Sequence, residues 1–279
     1  MRYQISHVTR YTYAQPAILE PHVLRLRPRS DGFQSLDSYQ LQVEPNPLEI
    51  TQLLDAEGDA IAKCWWSPQS TATLSITAIS TVTTHITNPF NYLLEPWATE
   101  GPIDYPSSIR TALAPYLDHT SAPAATQLAH EIAVAVDWNT VEFLSTLNQR
   151  IYDQCDYQER PTGPPWPPEI TWGRKTGSCR DFVVLFMAAC RAAGLAARFV
   201  SGYEQGDPAC EQTLHAWAEV YLPGAGWRGY DPTLGLVTCD RHVALVTSYQ
   251  PRSTVPVSGT HRSGCATTLT TEVSIKLIV

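Results

Sequence analysis

The sequence contains one stretch whose pattern decides the fold, Gly177-Ser-Cys-Arg-Asp-Phe-Val-Val-Leu-Phe-Met-Ala-Ala-Cys-Arg-Ala-Ala-Gly194. Residues 178–193 are apolar nearly all round at helical spacing, which predicts a centrally buried helix that ends at the capping Gly194. Cys179 then falls in the first turn, where unsatisfied amides and the positive end of the helix dipole favour a thiolate. We therefore interpret Cys179 as a candidate nucleophile, and the same amides as donors to a developing oxyanion.

Two later strands supply the partners that a thiol nucleophile needs. His215 begins an alternating run that continues to Leu222. A Pro-Gly-Ala-Gly turn and the next run, 227–230, follow, and Asp231 comes directly after that run. Strands joined by a tight turn are neighbours in a sheet, and Pro232 keeps Asp231 extended. We expect His215 to act as the general base and Asp231 to fix its tautomer and stabilise the imidazolium.

Upstream of this region, the first hundred residues predict strands. Alternating runs lie at 3–13, ending at Pro16, and at 23–27, 39–43, 72–79 and 81–86, with turn signals between them. Helical patterns follow at 121–137 and from Asn139 onward, and then a Pro-rich loop at 160–168 that we interpret as a cleft wall. A last alternating run, 268–279, predicts one more strand.

Four segments in this order resemble the transglutaminase-like core: 177–182, 194–203, 215–221 and 226–233. The opening Tyr3-x-x-x-His7-x-Thr9-x-Tyr11-x-Tyr13, followed by the 24–29 segment, is similar to the β domain that precedes this core in many bacterial members. The resemblance implies an α+β protein, with a papain-like core of helices packed on an antiparallel sheet. It places a β-sandwich-like domain at 1–105 and the catalytic core at 106–279. The sequence leaves open whether strand 268–279 returns to the β domain.

The resemblance also implies a catalytic triad of Cys179, His215 and Asp231 that forms an acyl-enzyme on amide bonds of a peptide or protein, without a cofactor. Arg180 stands where animal transglutaminases usually have Trp. Hydrolysis and transamidation share one acyl-enzyme, and they differ only in whether water or an amine resolves it. A cysteine protease or amidase is the main interpretation, and a protein-glutamine acyltransferase or a non-catalytic binding protein is the alternative.

Other residues near the predicted site are candidates for supporting roles. Tyr157 and Trp172 are candidates for the second oxyanion donor, and Trp217 is a candidate for lining the cleft. His242 is a second candidate for the base. Asp181 would oppose a thiolate at Cys179 unless its carboxylate points away.

Composition excludes several classes of function. The net charge of -8 argues against nucleic-acid binding, which needs a basic face. The seven cysteines contain no Cys-x-x-Cys pair, so we expect neither a metal site nor a disulfide scaffold, and we treat the six other than Cys179 as packing or surface thiols. We expect no membrane partner and a cytoplasmic location, since neither a signal sequence nor a transmembrane run is evident. The oligomeric state is left open.

The six cysteines other than Cys179 are Cys64, Cys155, Cys190, Cys210, Cys239 and Cys265.

Overall fold

The computed structural model describes residues 1–118, 121–207 and 210–278. The protein is of the α+β class, with antiparallel strands in two regions and a set of helices between them in the chain. The strands are β1 (Arg2–Ile18), β2 (His22–Leu24), β3 (Gln34–Glu44), β4 (Glu49–Leu54), β5 (Ala60–Trp65), β6 (Ser70–Thr84), β7 (Asp156–Tyr157), β8 (Thr176–Gly177), β9 (Ala197–Glu204), β10 (His215–Leu222), β11 (Gly226–Asp231), β12 (Leu236–Val237), β13 (His242–Ser248), β14 (Val257–Ser258) and β15 (Thr267–Leu277). The helices are α1 (Ser107–Leu117), α2 (Pro123–Ala135), α3 (Thr140–Gln154), α4 (Pro168–Arg174) and α5 (Cys179–Ala192), with short 3-10 turns at Pro96–Ala98 and Pro251–Thr254.

The N-terminal region is a β-sandwich. Its two antiparallel sheets have the strand orders β15-β1-β6-β3 and β14-β2-β5-β4, and the alternating inward side chains of both build one apolar core. The strand β1 continues past its predicted end at Pro16, because a register shift between Thr12 and Ala17 accommodates the proline in the pairing with β6.

The C-terminal strands belong to this sandwich. The strand β15 pairs with β1 from Tyr3 opposite Leu277 to Tyr13 opposite Thr267, and β14 pairs with β2. The predicted last strand extended to residue 279, which lies outside the described residues. Each sheet of the sandwich is therefore completed by residues from the far end of the chain.

The second region is built on the sheet β12-β11-β10-β9-β13, which is antiparallel throughout. Helix α5 packs against β9 and β10, and it also contacts α2, α3 and α4. Its apolar side chains are buried on every side, which is why the sequence is apolar all round. Gly194 follows the helix with a φ of 79°, the left-handed conformation that a helix C-terminus favours.

Several elements differ from the sequence prediction. Residues 72–79 and 81–86 were predicted as separate runs, whereas 70–84 form the single strand β6. The strand β13 lies where the sequence shows no alternation, because it is buried on both faces and its polar residues, His242, Thr247 and Ser248, are buried together with the apolar ones. The short helix α1 contains Pro115 and buries only Leu113, so it carries little helical signal. The elements α4, β4 and β5 were not predicted either.

The two regions share a boundary along β9 and β13. Tyr203, Val243 and Leu245 from the second sheet lie in the core of the sandwich, so these strands are packed between two apolar clusters. The predicted division at residue 105 stays a prediction. Among the described residues, no helix is long and apolar enough to span a bilayer. All seven cysteines are free thiols.

A buried carboxylate also lies at this boundary. Asp59, at the start of β5, is 2% exposed and accepts a 2.8 Å hydrogen bond from the Thr247 backbone N–H and a 3.2 Å ion pair from Arg29 Nη1. Burial raises the pKa of Asp59 from 3.8 to about 6, outweighing the hydrogen bond from Thr247 and the charge of Arg29, which lower it. Between about pH 4 and pH 6, Asp59 therefore holds a proton in the folded protein that it has lost in the unfolded chain.

We expect the stability that Asp59 contributes to fall as the pH rises from about 4 to about 6. In that window the folded state holds a proton that the unfolded state has lost, which gives a loss on the order of 1–3 kcal/mol. The measurement is the free energy of unfolding of the wild type and of Asp59→Asn at several pH values. The advantage of the wild type over the variant should shrink across the window, and Asp37→Asn, at an exposed position, serves as the control. A difference that does not vary with pH would contradict the prediction.

Candidate active site

Cys179 is the first residue of α5, and the residues before it prepare the turn into the helix. Gly177 must lack a side chain, because a Cβ there would lie 2.9 Å from the Cβ of Asp181 and 3.2 Å from the ring of Phe182. Ser178 is the N-cap residue. The thiol of Cys179 is half-buried, so it lies at the surface of the core rather than inside it.

The side chains of His215 and Asp231 meet at the same end of the neighbouring strands β10 and β11. The Nε2 atom of His215 lies 2.6 Å from the Oδ2 atom of Asp231. The carboxylate is fully buried, whereas 15% of the His215 side chain is exposed. The His215 ring also lies near the side chain of Cys179, which contributes to the pKa of the ring. The structure thus brings together the three residues that the sequence predicted as a triad.

The electrostatics of this group favour a protonated imidazole. Burial by itself would lower the pKa of His215. The charge of Asp231 and its hydrogen bond raise this pKa well above its ordinary value, and the neighbouring Cys179 side chain adds to the rise. Burial would raise the pKa of Asp231, yet the charge and hydrogen bond of His215 hold it below its ordinary value. An imidazolium paired with a carboxylate on one side is a partner for a thiolate on the other.

His242, the second candidate base, is at the start of β13 and reaches the same carboxylate oxygen. Its Nε2 atom lies 3.1 Å from Asp231 Oδ2, and its side chain is 5% exposed. Of the two, His215 is the histidine that lies near the Cys179 side chain. The ligand atoms of His215, Asp231 and His242 lie within 4.8 Å of one another and could hold a metal ion. However, the separations of 2.6 and 3.1 Å are hydrogen-bond distances, so these side chains already satisfy one another.

The three remaining sequence candidates occupy different places. Tyr157 lies on β7 opposite Gly177 and is 56% exposed, and its pKa is raised by burial and by charge at Cys179, so it lies close to the thiol. Trp172 is on α4 and packs against the core around α5. Trp217, expected to line the cleft, is 2% exposed and packs between His215 and His242 at ring distances of 6.5 and 5.2 Å.

Sequence reasoning did not find the ion pair beside the nucleophile. Asp181 is fully buried, and Arg160 Nη1 lies 2.5 and 2.6 Å from its two carboxylate oxygens. The backbone N–H of Trp166 and both the N–H and the hydroxyl of Ser178 donate to the same carboxylate at 2.7 Å. Burial would raise the pKa of Asp181, but these hydrogen bonds, led by that of Arg160, lower it. The negative charge that would oppose a thiolate is therefore balanced.

The same contacts fix the Pro-rich loop 160–168 on the start of α5. Arg180 Nη2 donates to the carbonyl oxygens of Arg160 and Thr162 at 2.6 and 2.9 Å, and the Arg160 guanidinium stacks on the Trp166 ring at 4.1 Å. The loop is thus held at the start of α5, and its interpretation as a cleft wall stays a prediction. The residues of the ion pair are far apart in the chain, and the position of Asp181 in the first helical turn was the only local signal.

Comparison with protein families gives two matches. Residues 3–83 match the family described as the bacterial transglutaminase-like N-terminal region. Residues 126–232, which contain Cys179, His215 and Asp231, match the transglutaminase-like superfamily.

Individual relatives agree with these matches. An uncharacterised protein of Mycobacterium tuberculosis is 29% identical over 262 residues, covering 88% of this chain and 82% of that protein. A protein-glutamine gamma-glutamyltransferase of Pseudomonas aeruginosa is 30% identical over 121 residues, which are 40% of this chain and 18% of that protein. The crystal structure of a candidate cysteine protease from Cytophaga hutchinsonii superimposes with a TM-score of 0.76 and 21% identity, covering 100% of this chain and 91% of that one. This last likeness shows a common fold.

We expect Arg160→Gln to destabilise the protein by about 1–3 kcal/mol, because it leaves the buried Asp181 carboxylate without its counter-charge while other donors remain. Urea unfolding measures the loss, and limited proteolysis should cut faster within 160–168. Arg174→Gln is the matched control, since Arg174 also faces the Trp166 ring, at 5.3 Å, but is exposed. Equal effects of the two substitutions would contradict this interpretation of the ion pair.

Proposed function

The chain belongs to the transglutaminase-like superfamily, with the N-terminal region of its bacterial members, and we propose that it is a cysteine-dependent enzyme that hydrolyses amide bonds of peptides or proteins. The observation that carries this proposal is the grouping of Cys179, His215 and Asp231, in which His215 lies beside the Cys179 side chain and hydrogen-bonds to Asp231 at 2.6 Å. The nucleophile is supplied by the start of α5, and the two supporting residues are supplied by adjacent strands.

In the proposed mechanism the Cys179 thiolate attacks the carbonyl carbon of the amide, forming a carbon–sulfur bond and a tetrahedral oxyanion. As the first residue of α5, Cys179 has a backbone N–H without an intrahelical acceptor, and this donor is available to the oxyanion. The His215 imidazolium gives its proton to the leaving amine as the carbon–nitrogen bond breaks. The exposed hydroxyl of Tyr157 is the best-placed candidate for the second donor.

The second half-reaction releases the acyl group. His215, now neutral, takes a proton from a water molecule, whose oxygen attacks the thioester carbon. Collapse of the intermediate expels the Cys179 thiolate, and His215 is again protonated. Throughout, Asp231 stabilises the imidazolium and keeps the reacting nitrogen directed at the sulfur.

Acyl transfer to an amine is the second candidate function. The specific observation that favours it is the similarity of 121 residues to the protein-glutamine gamma-glutamyltransferase of Pseudomonas aeruginosa. Both reactions share the acyl-enzyme, and they diverge when water or an amine attacks it. The residues named here serve either outcome.

We expect Cys179 to be alkylated by iodoacetamide at pH 6 roughly 10- to 100-fold faster in the wild type than in His215→Asn, because the variant lacks the imidazolium that stabilises the thiolate. Peptide mass mapping gives the rate at each cysteine separately. The exposed Cys210 is the internal reference, and its rate should be the same in both proteins. Labelling of the buried Cys64 or Cys190 while Cys179 stays unmodified would overturn the assignment of the nucleophile.

The reaction itself is tested by incubating the protein with a peptide library, with and without a primary amine, and reading the products by mass. Hydrolysis predicts cleaved peptides or side-chain deamidation, whereas transfer predicts amine adducts only in the second sample. We expect cleavage or deamidation in both samples and none with Cys179→Ser. Amine adducts in place of hydrolysis would make the transferase the function, and turnover by Cys179→Ser would exclude a thiol mechanism.

A further inference from the structure

The carboxylate of Asp231 is bonded by more groups than the triad requires. Its Oδ2 atom lies 2.6 Å from His215 Nε2 and 3.1 Å from His242 Nε2, and its Oδ1 atom accepts from the backbone N–H groups of Thr233 and Leu234 at 3.0 and 3.3 Å. A carboxylate has about four acceptor positions. All of them are used, so the direction of Asp231 is fixed, and His242 is one of the groups that fix it.

His242 offers this hydrogen bond in a defined tautomer. Its Nδ1 atom is buried and has no hydrogen-bond partner among the described residues. A buried N–H without an acceptor is costly, so the ring hydrogen belongs on Nε2, where Asp231 accepts it. The ring of Trp217 packs edge-on against His242 at 5.2 Å. His242 therefore acts as a fixed donor.

The position of His242 depends on the N-terminal sandwich. The strand β13 is an edge of its sheet, and Gln34 of the sandwich supplies its missing partner: Ala244 N–H donates to Gln34 Oε1 at 2.7 Å, and Gln34 Nε2 donates to the Ala244 carbonyl at 2.9 Å. The backbone N–H of Arg29 donates to the same carbonyl at 3.0 Å. A single buried glutamine of the sandwich thus holds both backbone groups of the residue two positions after His242.

The packing around β13 would transmit a displacement of this strand to the triad. A Cβ on Gly202, the residue opposite Ala244, would lie 2.5 Å from the Trp217 ring and closer still to the Val243 carbonyl oxygen, so β9, β13 and this ring are in close contact. On the other side, a cavity of about 230 Å³ lined by Gln34, Trp217 and His242 leaves room into which these groups could move.

We propose that His242 is a positioning residue for Asp231 and that the N-terminal sandwich sets its position through Gln34. This inference rests on the proposed thiol function. It gives the sandwich a role in the reaction: its contact with β13 holds the donor that orients the carboxylate, which in turn orients His215.

Two variants at position 242 separate the hydrogen bond from the loss of the ring. His242→Gln keeps an N–H near the place of Nε2, whereas His242→Asn has the same amide one methylene shorter and cannot reach Asp231. We expect His242→Asn to lower kcat roughly 10- to 100-fold with little change in KM. The reason is that Asp231 no longer holds the His215 imidazole in place, while substrate binding is intact. His242→Gln should recover most of the activity. Equal kcat values for the two variants would overturn the role of this hydrogen bond.

The role of the sandwich is tested by Gln34→Met, which keeps the side-chain length and removes both hydrogen bonds to Ala244, together with the one that Gln34 Nε2 donates to the Arg29 carbonyl. The matched control is Gln52→Met, at an exposed position on β4 of the same domain. We expect Gln34→Met to lower kcat several-fold in the wild type and to have no further effect in His242→Asn, since both changes act through the same contact. Independent, multiplying effects would overturn the proposed connection.

A structural readout distinguishes failure of this inference from failure of the proposed function. The pH titration of the His215 ring, followed by NMR, should shift in Gln34→Met and His242→Asn and stay unchanged in Gln52→Met. If the wild type turns over no substrate while these shifts occur, the thiol function fails and the positioning contact stands. If the wild type is active and His215 titrates identically in all variants, the positioning contact is refuted.

Discussion

The arrangement of the site depends on one fully buried carboxylate, that of Asp231. Burying a charge is costly unless hydrogen bonds and an opposite charge replace the lost water. Here two histidines and two backbone N–H groups do so: the histidines come from β10 and β13, and both N–H groups come from the turn after β11. The requirement to satisfy this one carboxylate therefore fixes the relative positions of β10, β11 and β13, and with them the base that faces Cys179.

The nucleophile has a second buried carboxylate beside it, and the two have different partners. Asp231 is compensated by two imidazole groups, of which His215 is the one that gains and loses a proton in the proposed reaction, while His242 is a fixed donor. Asp181 is compensated by the permanent charge of Arg160 and by the backbone N–H groups of Trp166 in the loop and Ser178 at the start of α5. A permanently charged guanidinium suits a structural role, because it holds the loop and the helix together whatever the protonation state of His215.

Much of the site could be predicted from the sequence, because its main features are local. The helix α5 has a complete apolar pattern, Gly177 and Gly194 mark its ends, and the triad lies on elements with clear periodicity. The parts that were missed depend on contacts between distant residues. The pairing of Arg160 with Asp181 and the sharing of Asp231 by His242 leave no spacing signal. The strand β13 is buried on both faces, so it lacks the alternation by which a strand is usually found.

The pairing of β15 with β1 joins the two extremes of the chain over eleven residue pairs. During synthesis on the ribosome, β1 is made long before β15, so the side of β1 that pairs with β15 has no partner until the residues between the two strands have been made. Until then β1 presents one unpaired edge, and an exposed edge of this length is a template for association with other chains. This sheet of the sandwich is thus completed only after α5 and the second sheet have been made, so the nascent protein must keep the free edge of β1 from pairing wrongly throughout that interval.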